Sequence, residues 1–191
     1  MAHRDVRVKR LRTRAAVFAL IVIVGLVIDR ATKVWALGAL QYGRQILCIP
    51  NFLSLALVRN SGASFGLGSS LTCVISILAI IACSAMLAAV RRTTSLQWTI
   101  ALSLGFAGAF GNLIDRATYA ENFLDGKVVD FINYGWSVGN VADIILVFAG
   151  LWFVALILFE TPFYADEKDD KTEPVDSNQP EDINESVESS K

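Results

Sequence analysis

Apolar residues fill four stretches of the chain, residues 15–35, 70–90, 98–114 and 141–159, with very little charge inside them. A bilayer core about 30 Å thick is crossed by about 20 mostly apolar helical residues, so each stretch predicts a membrane-spanning helix. Residues 45–58 read QILCIPNFLSLALV. Their branched apolar side chains, interrupted by Pro50-Asn51, predict two short strands rather than a fifth span. Val128-Val129-Asp130-Phe131-Ile132 predicts another strand. The expected fold class is a mainly α membrane protein, a four-transmembrane-helix bundle with a small extracytoplasmic β-sheet. The third stretch, TIALSLGFAGAFGNLI, places Ser103, Ala107 and Gly111 four residues apart. Such a stripe of small residues lets helices approach closely in lipid, which predicts that this helix is the most tightly packed.

Charge orients these elements. The chain has 191 residues, 54% of them hydrophobic and 18% charged, a balance that favours a single membrane-embedded domain over a soluble one. Its net charge of -1 hides a strong polarity. Six of the first 14 residues are Arg or Lys, and the last 26 carry ten acids against three lysines. The positive-inside rule puts the basic start and the Arg91-Arg92 turn in the cytoplasm. Both termini are then cytoplasmic, and the connections 38–69 and 115–140 face the other side. The expected organisation is a basic cytoplasmic segment 1–14, a membrane domain 15–163 and an acidic, disordered cytoplasmic tail 164–191. A cleavable signal peptide ending near Ala36-Leu37-Gly38 is the alternative for the first stretch, but Asp29, Arg30 and Lys33 interrupt its approach to the cleavage site, and three spans would remain.

The only histidine is His3, in the basic start, which argues against a histidine base or a histidine-bound metal. Cys48, Cys73 and Cys83 show no metal-ligand spacing and read as packing residues. Outside the tails and plain loops the acids are Asp29, Asp115, Asp130, Asp143 and Glu160. Glu160 belongs to the cytoplasmic end. The other four map to the opposite side, with Lys33, Asn60, Asn112, Arg116 and Asn140. Ionisable groups at membrane depth are costly unless paired, so this one-sided cluster is a candidate site. Asp29 with Lys33, and Asn112 with Arg116, are four apart and share helix faces. The plainer alternatives are an ion pair at a helix end for the first and a snorkelling anchor for Arg116. Asn140 and Asp143 have helix-cap spacing, which is the plain reading of Asp143. Asp130, a lone acid in a strand-like run, has no such explanation. If Asp130 and Asp143 meet, they share a proton, one serving as base for water and the other as acid, the chemistry of an aspartic peptidase. Gly62-Ala63-Ser64-Phe65-Gly66 matches the nucleophile-elbow pattern but lacks a histidine partner, leaving only a formal Ser64–Lys33 pair.

Five segments in order, Asp29-Arg30-Ala31-Thr32-Lys33, Asn60 to Gly66, Gly108 to Arg116, Val128 to Ile132 and Asn140-Val141-Ala142-Asp143, resemble the lipoprotein signal peptidase (signal peptidase II) family. The resemblance implies an intramembrane aspartic endopeptidase of the bacterial cytoplasmic membrane. It would cut diacylglyceryl-modified prolipoproteins on the amino side of the lipidated cysteine, at the extracytoplasmic face. It makes Asp130 and Asp143 the catalytic dyad. It makes Asp29, Lys33, Asn60, Asn112, Arg116 and Asn140 supporting or substrate-binding residues. It implies no cofactor, no metal and no nucleic acid, membrane lipid and globomycin-type inhibitors as partners, a strand cradle beside the bundle, and a monomer. Two positions depart from the family pattern. Arg30 stands where Gln is usual and is expected to reach the headgroups, and Gly139 replaces an aromatic residue, which is expected to loosen the wall near Asp143. A transporter or proton-conducting protein could use the same acids, but such proteins place them near the midplane and carry internal repeats. A noncatalytic scaffold, the third reading, would tolerate Asp-to-Asn changes.

Overall fold

The computed structural model describes residues 2–41, 43–62 and 68–164. The Ser64 pattern and the acidic tail beyond Tyr164 lie outside the described residues. Among the described residues are four long helices: α1 (Ala2–Ala39), α2 (Gly68–Arg92), α3 (Leu96–Thr118) and α4 (Val141–Leu158). Four strands accompany them: β1 (Gln45–Ile49), β2 (Leu53–Asn60), β3 (Val128–Asn133) and β4 (Val138–Gly139).

Three of the helices, over Val8–Ala39, Thr72–Arg92 and Val141–Leu158, are long and apolar enough to cross a membrane. The third expected span, α3, falls outside that set because Gly, Ala, Ser and Asn dilute its Leu, Ile and Phe. It is instead the helix the others surround, packing on α1, α2 and α4. Its buried residues include Ser103, Ala107 and Gly111, the predicted small-residue stripe. The closeness is visible at Gly108, where an added Cβ would lie 2.7 Å from the Ala142 carbonyl oxygen of α4. By contrast α4 buries only Ala142, Ala149 and Leu156 and exposes Val147, Leu151, Val154 and Ile157, the surface expected of a helix facing hydrocarbon.

Helix ends differ from the sequence reading in two places. α1 runs back through the basic residues as far as Ala2, since Arg, Lys, Ala and Leu are good helix formers and no Pro or Gly interrupts them. α3 runs on through Asp115 and Arg116 to Thr118, so these residues belong to the helix and not to the following loop. The Ala36-Leu37-Gly38 segment lies within the last turn of α1, and Ala36 is fully buried.

At one end of the bundle Arg14 of α1 donates to the Val90 carbonyl (2.9 Å) and to Thr99 Oγ1 (3.2 Å). There the Thr93 hydroxyl (2.6 Å to the Phe163 carbonyl) and the Trp98 indole (2.9 Å to the Thr161 carbonyl) hold the chain leaving α4. The sheet lies at the opposite end. Its strands run antiparallel in the order β1-β2-β3-β4. The Pro50-Asn51 break becomes the β1–β2 turn, with Asn51 at φ 60°. β4, only two residues long, was not foreseen. The sheet docks on α1 through Phe131, which packs with Ala36 and Leu40 and edge-on to Trp35, 6.3 Å between ring centres. Because side chains alternate along a strand, seating Phe131 in this core turns its neighbour Asp130 to the other face.

Candidate active site

The sheet end of the bundle gathers every site residue proposed from the sequence. Asp130 is almost fully buried at 1% exposure. Its Oδ2 accepts from Asn60 Nδ2 at 2.7 Å and its Oδ1 from Asn140 Nδ2 at 2.6 Å. Asn60 is itself fixed by an Asx-type turn, its Oδ1 accepting from the Gly62 amide at 2.7 Å. Gly62, at φ +80°, is required there for a second reason: a Cβ would come within 3.0 Å of Arg116 Nη2. The Arg116 guanidinium lies against this turn, with Nη1 3.4 Å from the Ser61 carbonyl, and the residue is 7% exposed. It is therefore a buried support of the turn and not a snorkelling anchor.

Asp143 sits on the first turn of α4. The cap reading of its spacing holds, since Asn140 caps α4 and the two residues form a reciprocal capping box. The Asn140 side chain accepts from the Asp143 amide at 3.1 Å, and the Asn140 amide donates to Asp143 Oδ2 at 3.0 Å. The other oxygen, Oδ1, accepts from Asn112 Nδ2 at 2.8 Å. Asn140 Nδ2 also reaches Asn112 Oδ1 at 3.1 Å, so two asparagines link the two carboxylates through continuous hydrogen bonds.

Beneath this layer Lys33, with no exposed surface, donates to Asp29 Oδ2 (2.9 Å) and Asn112 Oδ1 (3.0 Å) and forms an ion pair with Asp115 Oδ2 at 2.9 Å. The Asp29–Lys33 pair is thus more than an ion pair at a helix end. Asp29 Oδ1 accepts from the Ala142 amide at 3.1 Å, and Asp115 Oδ2 from the Val129 amide at 3.2 Å. Gly111 makes room for Asp29, whose Oδ2 would lie 2.9 Å from a Cβ at that position.

Electrostatically the two acids are coupled. Burial pushes the Asp130 carboxyl up to about 6, and the Asp143 charge adds to this, while hydrogen bonds from Asn60 and Asn140 and the Lys33 charge pull it back. The Tyr134 hydroxyl is pushed up by burial and by the Asp143 charge. Among the described residues no three His, Cys, Asp or Glu side chains converge as a metal ion would require. The arrangement brings a carboxyl that burial keeps readily protonated, Asp130, together with a second, half-buried carboxyl, Asp143, the pair of groups that general acid–base hydrolysis uses.

Three residues of the neighbourhood escaped the sequence reading. Asp115 was recognised as an acid on the right side but not as a partner of Lys33. Arg30, expected at the headgroups, instead brings Nη1 to 3.0 Å from Asp115 Oδ1, an ion pair by proximity that is out of line for a hydrogen bond. Tyr134 carries no local signal beyond its place directly after the end of β3. At Gly139 a Cβ would fall 2.8 Å from Asp143 Oδ2, so the glycine makes room for the Asp143 carboxylate in its capping position.

Residues 21–159 match the family model described as signal peptidase (SPase) II. A lipoprotein signal peptidase of Bifidobacterium longum is 60% identical over 154 residues, 81% of this chain and 85% of the relative. One from Bifidobacterium adolescentis is 55% identical over 177 residues, 91% of this chain and 95% of the relative. A solved bacterial membrane enzyme, determined by the in meso method at 1.9 Å resolution, superposes with a TM-score of 0.67 at 30% identity, over 75% of this chain and 94% of its own. The chain belongs to the signal peptidase II family.

Proposed function

We propose that this chain is an intramembrane aspartic endopeptidase that removes signal peptides from diacylglyceryl-modified prolipoproteins, cutting on the amino side of the lipidated cysteine. The observation that carries the reading is the linking of buried Asp130 and half-buried Asp143, delivered by a strand and a helix start, through hydrogen bonds of Asn112 and Asn140. One carboxylate takes a proton from water as its oxygen attacks the scissile carbonyl carbon. The protonated partner donates its proton to the carbonyl oxygen; the tetrahedral intermediate then collapses as the first carboxyl passes the proton it took from water to the amine nitrogen, the C–N bond breaks and the partner recovers its proton from the hydroxyl. Assistance of this kind is worth about 10²- to 10⁴-fold per group, and the titration belongs to the pair. Asn60, Asn112 and Asn140 aim the carboxylates, Asp29 and Lys33 brace them, and Arg116 holds the turn that carries Asn60.

In this reading α3 is the fourth span, its modest hydropathy offset by the three helices that shield it. Arg91, Arg92 and the basic start support a cytoplasmic position for the opposite end, and the sheet forms an extracytoplasmic cradle at the outer leaflet of the bacterial cytoplasmic membrane. The lipid anchor of the substrate lets it arrive sideways from the bilayer. Globomycin-type inhibitors occupy the same cleft, and the enzyme works as a monomer. Family membership leaves no feature for a transporter reading to explain.

The test is cleavage of a lipidated prolipoprotein by purified Asp130→Asn and Asp143→Asn variants that keep the wild-type thermal midpoint. Each is expected to lose at least about 10³-fold in kcat. Full activity in either variant sinks the dyad.

A further inference from the structure

Lys33 holds two carboxylates, and each of them reaches the backbone one residue before a dyad acid. Asp29 grips the Ala142 amide, next to Asp143, and Asp115 grips the Val129 amide, next to Asp130. Together the three side chains form a truss from α1 and α3 that sets the height of one dyad backbone against the other. As a set of charges the truss is unbalanced, one ammonium between two carboxylates, with side-chain exposures of 0%, 2% and 0% for Lys33, Asp29 and Asp115. An uncompensated negative charge so deeply buried is costly, and it would oppose ionisation of the neighbouring dyad.

Arg30 supplies the missing charge. Its guanidinium lies 3.0 Å from the free oxygen of Asp115, while its Nη2 is buried without a hydrogen-bond partner. A guanidinium that leaves a nitrogen unpaired to stay beside a carboxylate is held there by charge. One residue and about 100° around α1 from Asp29, it approaches Asp115 from the flank that Lys33 does not cover.

We propose that Arg30 is a positioning residue of the cleavage reaction, balancing Asp115 so that the truss stays ionised and holds Asp130 and Asp143 in register. The proposal rests on these two acids being the dyad. The charged and titratable groups facing the assembly are Asp29 and Lys33 from α1, Asp115 and Arg116 from α3, Asp143 from α4, and Asp130 and Tyr134 from the β3 hairpin.

The experiment measures kcat/KM against pH for the purified full chain in detergent micelles on a diacylated prolipoprotein peptide. It compares wild type, Arg30→Gln, Arg30→Lys and, as control, Arg44→Gln, which changes an exposed residue. Removing a positive charge near the dyad makes its second ionisation harder. The basic limb is therefore expected to move up by roughly 0.5 to 1 pH unit in Arg30→Gln, with kcat several-fold lower and KM little changed. Arg30→Lys and Arg44→Gln should keep the wild-type limb. An unmoved limb in Arg30→Gln overturns the proposal, and so does an Arg30→Lys profile that departs from wild type. The second criterion decides the matter if Arg30→Gln does not fold. An active Asp130→Asn enzyme would instead overturn the dyad itself, so the two failures are distinguishable.

Discussion

Asn140 does three things with one side chain: it caps α4, donates to Asp130 and joins the link to Asn112. Asn140→Asp keeps an equally good cap but sets a third carboxylate, on a fully buried residue, within hydrogen-bonding distance of Asp130. An ionised group there is costly, so the thermal midpoint should fall as pH rises, and cleavage should fall by about 10²-fold or more. Asn140→Ala should lose both stability and cleavage, with the cap alone costing about 1 kcal/mol. The protonation of Asp130 makes a second statement at this scale. Burial keeps its carboxyl protonated up to about 6, where an ordinary aspartate gives up the proton near 3.8, so in the proposed reading the singly protonated dyad persists below that point and is lost above it. In the free enzyme kcat/KM should then fall about tenfold per pH unit on a basic limb with an apparent pKa near 6. The linked stability effect has the same origin: a folded pKa above the unfolded value means that this group's contribution declines as pH rises through the 3.8-to-6 window. Polar residues in so apolar a chain stand out, which is why Asp130, Asp143 and their asparagines were legible. Arg30 was not, because its helical position points away from the Asp29–Lys33 face and only the approach of α3 brings Asp115 to meet it.

At the scale of elements, the bundle is organised around a helix whose value lies in what its side chains lack. Gly108 permits α4 to approach until a Cβ would sit 2.7 Å from the Ala142 carbonyl and from Leu146 Cγ. Backbone cannot move aside cheaply, so Gly108→Ala is expected to cost about 1–3 kcal/mol and to shift the start of α4, lowering cleavage as well as the thermal midpoint in detergent. Gly150→Ala, with nothing within 4 Å, should be neutral or slightly stabilising. The small-residue stripe announced this packing in advance. The hydropathy of α3 pointed less clearly, since a helix shielded by three neighbours needs little grease of its own. β4 was illegible for a different reason: two residues of strand have no periodicity, and they exist only because the Tyr134–Ser137 turn folds them back on β3.

For the whole molecule, the arrangement to be tested is its direction in the membrane. Cys48 lies exposed on β1, at the sheet end, and Cys83 is buried in α2. A membrane-impermeant maleimide applied to intact cells should label the chain at Cys48, and Cys48→Ser should abolish that label. Labelling that requires permeabilised cells would reverse the orientation.

The bond from the Ala142 amide to Asp29 joins the first helix to the last across 113 residues. In the proposed reading the active centre is complete only once α4 has been made to supply that amide and the second acid. A truncated product ending ahead of α4 holds part of the truss but lacks Asp143, so incomplete synthesis is expected to yield a chain that cannot cut.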